Sequence, residues 1–117
     1  RQKLSNTVIF DDRLKELDFG EWELKRWNDI PKQELNYWMN NFETVPTKNG
    51  ESYVDLQKRV LQFFNDVSKK TAQTVVIVTH AGVIRSFWAH QNKISLKNSF
   101  DLKLDYGQVI KLSLKDI

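Results

Sequence analysis

The histidine with the most informative position in this chain is His80, which follows a continuous β-branched run at residues 74–79. Such a run is typical of a strand covered on both faces of a parallel sheet. The small pair Ala81-Gly82 then makes a turn into a predicted helix, whose first N–H groups favour anions such as phosphate. His80 either handles an anionic group at the edge of a sheet or only caps the strand, and its position leaves both interpretations open.

A second candidate is Glu16, which lies among aromatic residues in the charged segment LKELDFGEWE. A carboxylic acid beside aromatic side chains holds its proton more readily, which suits a proton donor to a leaving oxygen. The same segment also contains Asp18, Glu21 and Glu23. Because most surface carboxylates have no catalytic role, local sequence alone favours an ordinary surface residue.

A third candidate is the triplet Gly50-Glu51-Ser52, which precedes another predicted helix. A loop at a helix N-terminus is well placed to face a phosphate group. More often such a triplet is only a turn followed by an N-cap, and the local sequence favours that simpler interpretation.

Size and composition restrict the class of protein. A chain of 117 residues suits one domain, and 40% hydrophobic with 28% charged residues is typical of a globular fold. The formal charge of +3 is weak support for nucleic-acid binding, so no nucleic-acid partner is predicted. Because the chain has no cysteine, disulfides and thiol chemistry are excluded, and we expect a cytoplasmic protein.

Two further classes are disfavoured by the sequence. The only two histidines, His80 and His90, are ten residues apart with no carboxylate arranged around them, so we predict no metal. The longest apolar run, residues 75–78, is far shorter than the roughly 20 residues that a membrane-spanning helix needs, so we predict no membrane partner.

Three strands are predicted from β-branched or alternating apolar residues. They are residues 7–10, 74–79 and 108–114. The charged segment 11–23 between the first strand and the first helix is predicted as a loop that contains one helical turn.

Three helices are predicted around these strands. The first spans about Pro31 to Glu43, the second is capped by Ser52, and the third begins at Val83 and runs to His90. The inward residues of the first two are predicted as Leu35, Trp38, Met39, Phe42, Val60, Phe63, Phe64 and Val67. Strands that alternate with helices indicate an α/β layered domain with helices on both faces of the sheet.

Three segments taken together resemble the histidine phosphatase superfamily, which includes phosphoglycerate mutases. They are LKELDFGEWE, GES with Arg59 seven residues after Ser52, and VVIVTHAGVIR, in the order and at about the spacing of that family. Within it, ELDFGEWE followed by RWNDIP and a Trp-containing helix is most similar to α-ribazole phosphatases. The resemblance extends from about Asp12 to Gly107.

The resemblance implies a three-layer α/β/α sandwich and a phosphohistidine mechanism without a cofactor. By the resemblance, Glu16 matches the acid that protonates the leaving oxygen, and His80 matches a second histidine that binds the phosphoryl group. Ala81, at a position that is often glycine, and Gly82 would belong to the substrate-binding turn. Two aromatic residues, Phe19 and Trp22, would shape the pocket, although either is equally suited to packing.

One departure from the family pattern is large. The family's nucleophile lies in an Arg-His-Gly motif, and this chain contains no Arg-His pair. Arg1 is too close to the first predicted strand to be the second phosphate-binding arginine. By analogy, about sixty residues are missing at the N-terminus, judged against typical domain sizes. We therefore expect the present chain to be the C-terminal part of one phosphatase domain and to be inactive by itself.

A missing central strand would also leave unpaired backbone groups in the sheet. We therefore expect that the isolated chain aggregates, forms a strand-swapped dimer or other homo-oligomer, or is only a portion of a longer molecule.

The leading functional hypothesis is that the parent protein hydrolyses α-ribazole 5′-phosphate in assembly of the cobalamin nucleotide loop. A second hypothesis keeps the fold and makes the protein a broad-specificity phosphatase, or a sugar-phosphate phosphatase or mutase. A third is a non-catalytic binding module that uses its tryptophans and basic residues on nucleic acid or protein. Helical spacing favours core packing for two of those tryptophans, Trp38 and Trp88.

Overall fold

The computed structural model describes residues 8–70 and 74–112. Within them the chain forms three α-helices, which are α1 (Lys32–Asn41), α2 (Tyr53–Ser68) and α3 (Ala81–Gln91). Four short 3₁₀ turns accompany them, at Asp12–Leu14, Gly20–Trp22, Trp27–Asp29 and Leu96–Asp101. No helix in the described part of the chain is long and apolar enough to cross a membrane.

Helix α2 is capped by Ser52, as predicted, and the structure shows that the cap is reciprocal. The Ser52 hydroxyl accepts a hydrogen bond from the Asp55 N–H, and the Asp55 carboxylate accepts one from the Ser52 N–H. These bonds satisfy backbone donors that the first turn of a helix leaves free. The buried face of α2 then consists of Tyr53, Leu56, Val60, Phe63 and Phe64.

Helix α3 packs along this face and completes the core. Its Phe87 ring stacks on Phe64 with centroids 3.8 Å apart, and Val83 is fully buried beside them. Leu96, in the 3₁₀ turn that follows, closes the same cluster. Helix α3 begins at Ala81, two residues earlier than predicted. Its N-cap is His80.

Helix α1 is shorter and less buried than the sequence predicts. It ends at Asn41, and none of its residues is fully buried. Trp38 and Phe42 do face inward against the core, whereas the prediction for Met39 is wrong because its side chain is 57% exposed. Helical spacing predicts a broad apolar stripe along α1, and Met39 lies at the solvent-exposed edge of that stripe.

The predicted strands do not form within the described residues. Residues 8–10, 74–79 and 108–112 have no regular secondary structure, and no backbone hydrogen bond joins any of them to another of these segments. Their side chains include some of the most exposed apolar groups, such as Phe10 at 91% and Val78 at 90%. Thr7 and residues 113–114, the outer ends of two predicted strands, lie outside the described residues, as does Arg1.

The predicted α/β/α sandwich is therefore not present in the described part of the chain, which is helical. The physical reason is that a β-branched sequence only suits a pleated surface, and a strand exists only when a neighbour completes its hydrogen-bond ladder. The predicted loop at residues 11–23 does form, with two 3₁₀ turns where one helical turn is predicted, and a third 3₁₀ turn follows at Trp27–Asp29.

Candidate active site

The carboxylate of Glu16 is bonded to the start of helix α3. One of its oxygens accepts a hydrogen bond of 3.1 Å from the Gly82 N–H, and the other accepts one of 2.8 Å from the Leu17 N–H. Gly82 is the second residue of α3, where backbone N–H groups lack partners within the helix and carry partial positive charge. The structure thus brings together Glu16 and Gly82, two residues that are 66 positions apart in the sequence.

The absence of a side chain at Gly82 leaves room for this contact. A Cβ built on Gly82 would overlap the Glu16 carboxylate, and its nearest neighbours are all atoms of that side chain. The residue at this position is itself buried. The small residues of the predicted turn therefore leave room for the Glu16 carboxylate at the N-terminus of α3.

The other predicted residues of this turn adjoin the contact along the backbone. His80 is the extended N-cap of α3, its carbonyl accepts the Ile84 N–H at 3.1 Å, and the residue as a whole is exposed. Ala81 follows as the first helical residue. The preceding residue, Thr79, donates its hydroxyl hydrogen to the Leu14 carbonyl at 2.6 Å and so ties this end of α3 to the segment that contains Glu16.

Tyr53 is a neighbour of Glu16 that sequence reasoning missed. Burial raises the pKa of Tyr53 to about 12, the negative charge of Glu16 also raises it, and the positive charge of Arg85 lowers it. Arg85, on α3, donates to the Leu102 carbonyl at 3.0 Å and lies over the Phe100 ring at 5.2 Å. A signal was available in the sequence, since Tyr53 directly follows the Ser52 cap.

The triplet Gly50-Glu51-Ser52 does not present its donors to an anion. The Glu51 N–H donates to the Asp18 carbonyl at 2.8 Å, and the Glu51 carboxylate pairs with Arg59 at 2.6 Å. Ser52 is the helix cap described above. The simpler interpretation of this triplet as a turn and cap is confirmed.

Phe19 and Trp22 lie in an aromatic cluster around Trp38. Their ring centroids are 6.0 and 5.6 Å from that of Trp38, and Trp27 stacks on the same ring at 6.4 Å. Trp38 is thus the centre of the cluster, in agreement with the prediction that it belongs to the core.

The surface has two open depressions that share Glu23 in their linings. The first is an aromatic groove lined by Phe19, Trp22, Glu23, Leu24, Lys25, Trp27 and Ile30. The second is lined by Asp12, Lys15, Glu16, Leu17, Asp18, Glu23, Glu51 and Arg59. Because five carboxylates outnumber two cationic side chains in the second depression, its charge does not favour an anion there.

Within residues 8–70 and 74–112, no group of three or more His, Asp or Glu side chains is arranged to hold a metal ion.

A comparison with protein families decides the membership of the chain. The model of the histidine phosphatase superfamily, branch 1, matches residues 1–116. The chain belongs to this superfamily. The resemblance that the sequence motifs indicate is confirmed at the level of the superfamily.

Two curated relatives of this histidine phosphatase come from Hydrogenobacter thermophilus. "Putative phosphoserine phosphatase 2" is 28% identical over 115 residues, which is 96% of this chain and 57% of that protein. "Phosphoserine phosphatase 1" is 29% identical over 85 residues, which is 69% of this chain and 40% of that protein. The chain therefore spans about half the length of the curated relatives that it matches.

Two solved structures resemble this histidine phosphatase in fold. The α-ribazole phosphatase from Shigella flexneri has a TM-score of 0.76 and 24% identity, and the match covers 85% of this chain and 51% of that one. YhfR of Bacillus stearothermophilus has a TM-score of 0.70 and 26% identity, over 83% of this chain and 50% of the other. The first likeness concerns the fold alone.

Proposed function

We propose that the whole protein is a phosphomonoesterase in which Glu16 protonates the leaving oxygen and His80 holds the transferring phosphoryl group. The observation that carries the proposal is the hydrogen bond from the Gly82 N–H to the Glu16 carboxylate at 3.1 Å. It places a carboxyl group at the N-terminus of α3, to which His80 is directly attached. Membership of the superfamily supplies the reaction class.

The proposed reaction has two steps. In the first, a histidine nitrogen attacks phosphorus, the P–O bond to the alcohol breaks, and the alcohol oxygen takes the proton of Glu16. In the second, water attacks the phosphohistidine, Glu16 takes a proton from that water, and inorganic phosphate leaves. Neither His80 nor His90 follows an arginine, so we assign the nucleophile to a part of the protein outside these 117 residues.

The end of α3 suits the charge that develops in both steps. The backbone N–H groups of its first turn and the His80 imidazole would lie beside the phosphoryl oxygens and stabilise their negative charge. When Glu16 is protonated, its carboxyl group can turn from the Gly82 N–H toward a leaving oxygen held at the same helix end. When Glu16 is ionised, the Gly82 N–H stabilises the carboxylate that remains.

The substrate that we favour is α-ribazole 5′-phosphate. The order ELDFGEWE, RWNDIP and a Trp-containing helix supports this substrate. The aromatic groove of Phe19, Trp22 and Trp27 is suited to a planar base. A second candidate is O-phosphoserine, because both curated relatives are named for it.

Hydrolysis of both esters by this chain and by a version with its natural N-terminus tests the proposal. We expect activity in the extended version, a preference for α-ribazole 5′-phosphate, and loss of activity on Glu16→Ala or His80→Ala. A matched control is Glu34→Ala, which removes an exposed carboxylate on α1 and should leave activity unchanged. A preference for O-phosphoserine would make that ester the proposed substrate in place of α-ribazole 5′-phosphate. If no phosphate ester is hydrolysed, the proposed function is overturned.

A further inference from the structure

The backbone on both sides of Glu16 is held by one side chain of helix α2. The Arg59 guanidinium donates to the Arg13 carbonyl at 2.8 Å through Nη1 and to the Glu16 carbonyl at 3.0 Å through Nη2. The Arg13 carbonyl lies in the first 3₁₀ turn, and the Glu16 carbonyl lies in the segment without regular structure between that turn and the next one. Arg59 therefore replaces the hydrogen bonds that a helix or a strand would otherwise give to this segment.

Glu51 completes the attachment from the other side of Glu16. Its carboxylate accepts from Arg59 Nη2 at 2.6 Å and from Arg59 Nε at 3.2 Å, so that the two side chains form a fork. The same carboxylate accepts the Asp18 N–H at 3.0 Å, and the Glu51 N–H donates to the Asp18 carbonyl. The backbone at residues 13, 16 and 18 is thus fixed to one ion pair.

The pair has the properties of a rigid support. Arg59 and Glu51 side chains are only 21% and 19% exposed, so water competes weakly for their bonds. The guanidinium uses three nitrogens in a planar arrangement that a lysine ammonium cannot reproduce. The Glu16 carboxylate itself has a different partner, since it accepts a hydrogen bond from the Gly82 N–H.

We propose that Glu51 and Arg59 are positioning residues that hold Glu16 for proton transfer at the N-terminus of α3. This inference rests on the proposed role of Glu16 as the proton donor. A proton donor must lie within hydrogen-bond reach of the leaving oxygen, and a small displacement of its backbone removes that reach. Within the described residues, the hydrogen bonds to the Glu16 carboxylate come from the Leu17 and Gly82 N–H groups, whereas Arg59 bonds the Glu16 carbonyl, so the pair acts through the backbone of Glu16.

Leaving-group dependence separates positioning from general loss of structure. An alkyl phosphate needs a proton on its leaving oxygen, whereas an aryl phosphate releases a stable phenolate with little help. In the protein with its natural N-terminus, we expect Arg59→Lys and Glu51→Gln to lower kcat for an alkyl phosphate about tenfold or more relative to an aryl phosphate. A defect that only reduces the folded fraction lowers both rates in the same proportion.

The matched control is Asp66→Asn. It breaks an ion pair of 2.7 Å with Arg13 in the same region, but Asp66 is 51% exposed and makes no bond to the Glu16 backbone. We expect the ratio of alkyl to aryl rates to stay unchanged in this variant. An unchanged ratio in Arg59→Lys and Glu51→Gln as well would overturn the inference while leaving the proposed function intact.

A second measurement does not depend on activity. The amide signal of Gly82 should follow protonation of Glu16 in NMR spectra of the same protein, and Glu16→Gln should abolish that response. We expect Arg59→Lys and Glu51→Gln to weaken the response and Asp66→Asn to retain it. If the wild-type protein hydrolyses no ester, the proposed function fails. If the Gly82 amide signal responds as fully in Arg59→Lys and Glu51→Gln as in the wild type, Glu51 and Arg59 do not hold Glu16 in position.

Discussion

At the scale of single residues, the site depends on a few polar contacts whose members are distant in the sequence. Family motifs predict Glu16, His80 and Gly82 as site residues, and the structure shows a contact between the first and the last of these. The motifs contain Glu51 and Arg59, and Tyr53 follows the Ser52 cap, but their relation to Glu16 could not be predicted. A motif does not show which backbone groups a long side chain reaches. The bond from Arg59 to the Arg13 carbonyl joins residues 46 positions apart.

The pKa of Tyr53 gives a prediction at this scale. Since the folded value of about 12 exceeds the ordinary value of about 10, the buried neutral phenol contributes stability that is complete below about pH 10. We expect about 2–3 kcal/mol of this stability to be lost as the pH rises from about 10 to about 12. The measurement is the difference between the unfolding free energies of the wild type and Tyr53→Phe at each pH, in which all other titrations cancel.

The same tyrosine reports on its charged neighbours. Glu16→Gln removes a negative charge and should lower the pKa of Tyr53, whereas Arg85→Gln should raise it, as followed by the absorbance of tyrosinate. If the pKa of Tyr53 is the same in both variants as in the wild type, Tyr53 does not sense the charge of the Glu16 carboxylate.

At the scale of elements, the helices could be predicted and the strands could not. The cap and buried face of α2 follow from local sequence, because one Ser, one Asp and a helical repeat of apolar residues specify them. Residues 74–79 carry an equally strong pattern but form no strand in the described part of the chain. A helix closes its own hydrogen bonds, whereas a strand needs a partner that local sequence does not supply.

The junction between α3 and the Glu16 segment gives a prediction for an element. Gly82→Ala places a methyl group on the Glu16 carboxylate, which is the end of a flexible side chain and can turn away. We expect a change of no more than about 1 kcal/mol in unfolding free energy, because alanine also favours the helix, together with loss of the Gly82 to Glu16 bond. Urea unfolding measures the first effect, and NMR of the residue 82 amide measures the second.

Gly107→Ala is the matched control for this substitution. Its Cβ would meet no atom within 4 Å, although its φ of +74° adds strain of about 1 kcal/mol. Catalysis should be unaffected by Gly107→Ala and severely reduced by Gly82→Ala. Equal effects of the two substitutions on activity would argue against a close contact at the start of α3.

At the scale of the whole molecule, apolar side chains remain exposed on the segments predicted as strands. Ile9 is 84% exposed and Val78 is 90% exposed, on backbone without ladder partners in the described residues. Extended apolar segments of this kind are templates for pairing with another chain. We therefore expect the 117-residue chain to associate in a concentration-dependent manner, as measured by size-exclusion chromatography with light scattering.

Charge on these segments should oppose the association. The double substitution Ile9→Lys and Val78→Lys should shift the population toward monomer, while Tyr106→Lys, at a fully exposed residue outside those segments, should not. A wild-type chain that stays monomeric at every concentration would contradict this expectation.

We propose above that Glu16, held at the N-terminus of α3, is the proton donor of a phosphomonoesterase. The most direct test is kcat for an alkyl and an aryl phosphate with the Glu16→Gln variant of the protein that has its natural N-terminus. Our account predicts a loss of about 10²–10⁴-fold for the alkyl phosphate and a much smaller loss for the aryl phosphate. Equal losses for the two esters, or no loss for either, would contradict it.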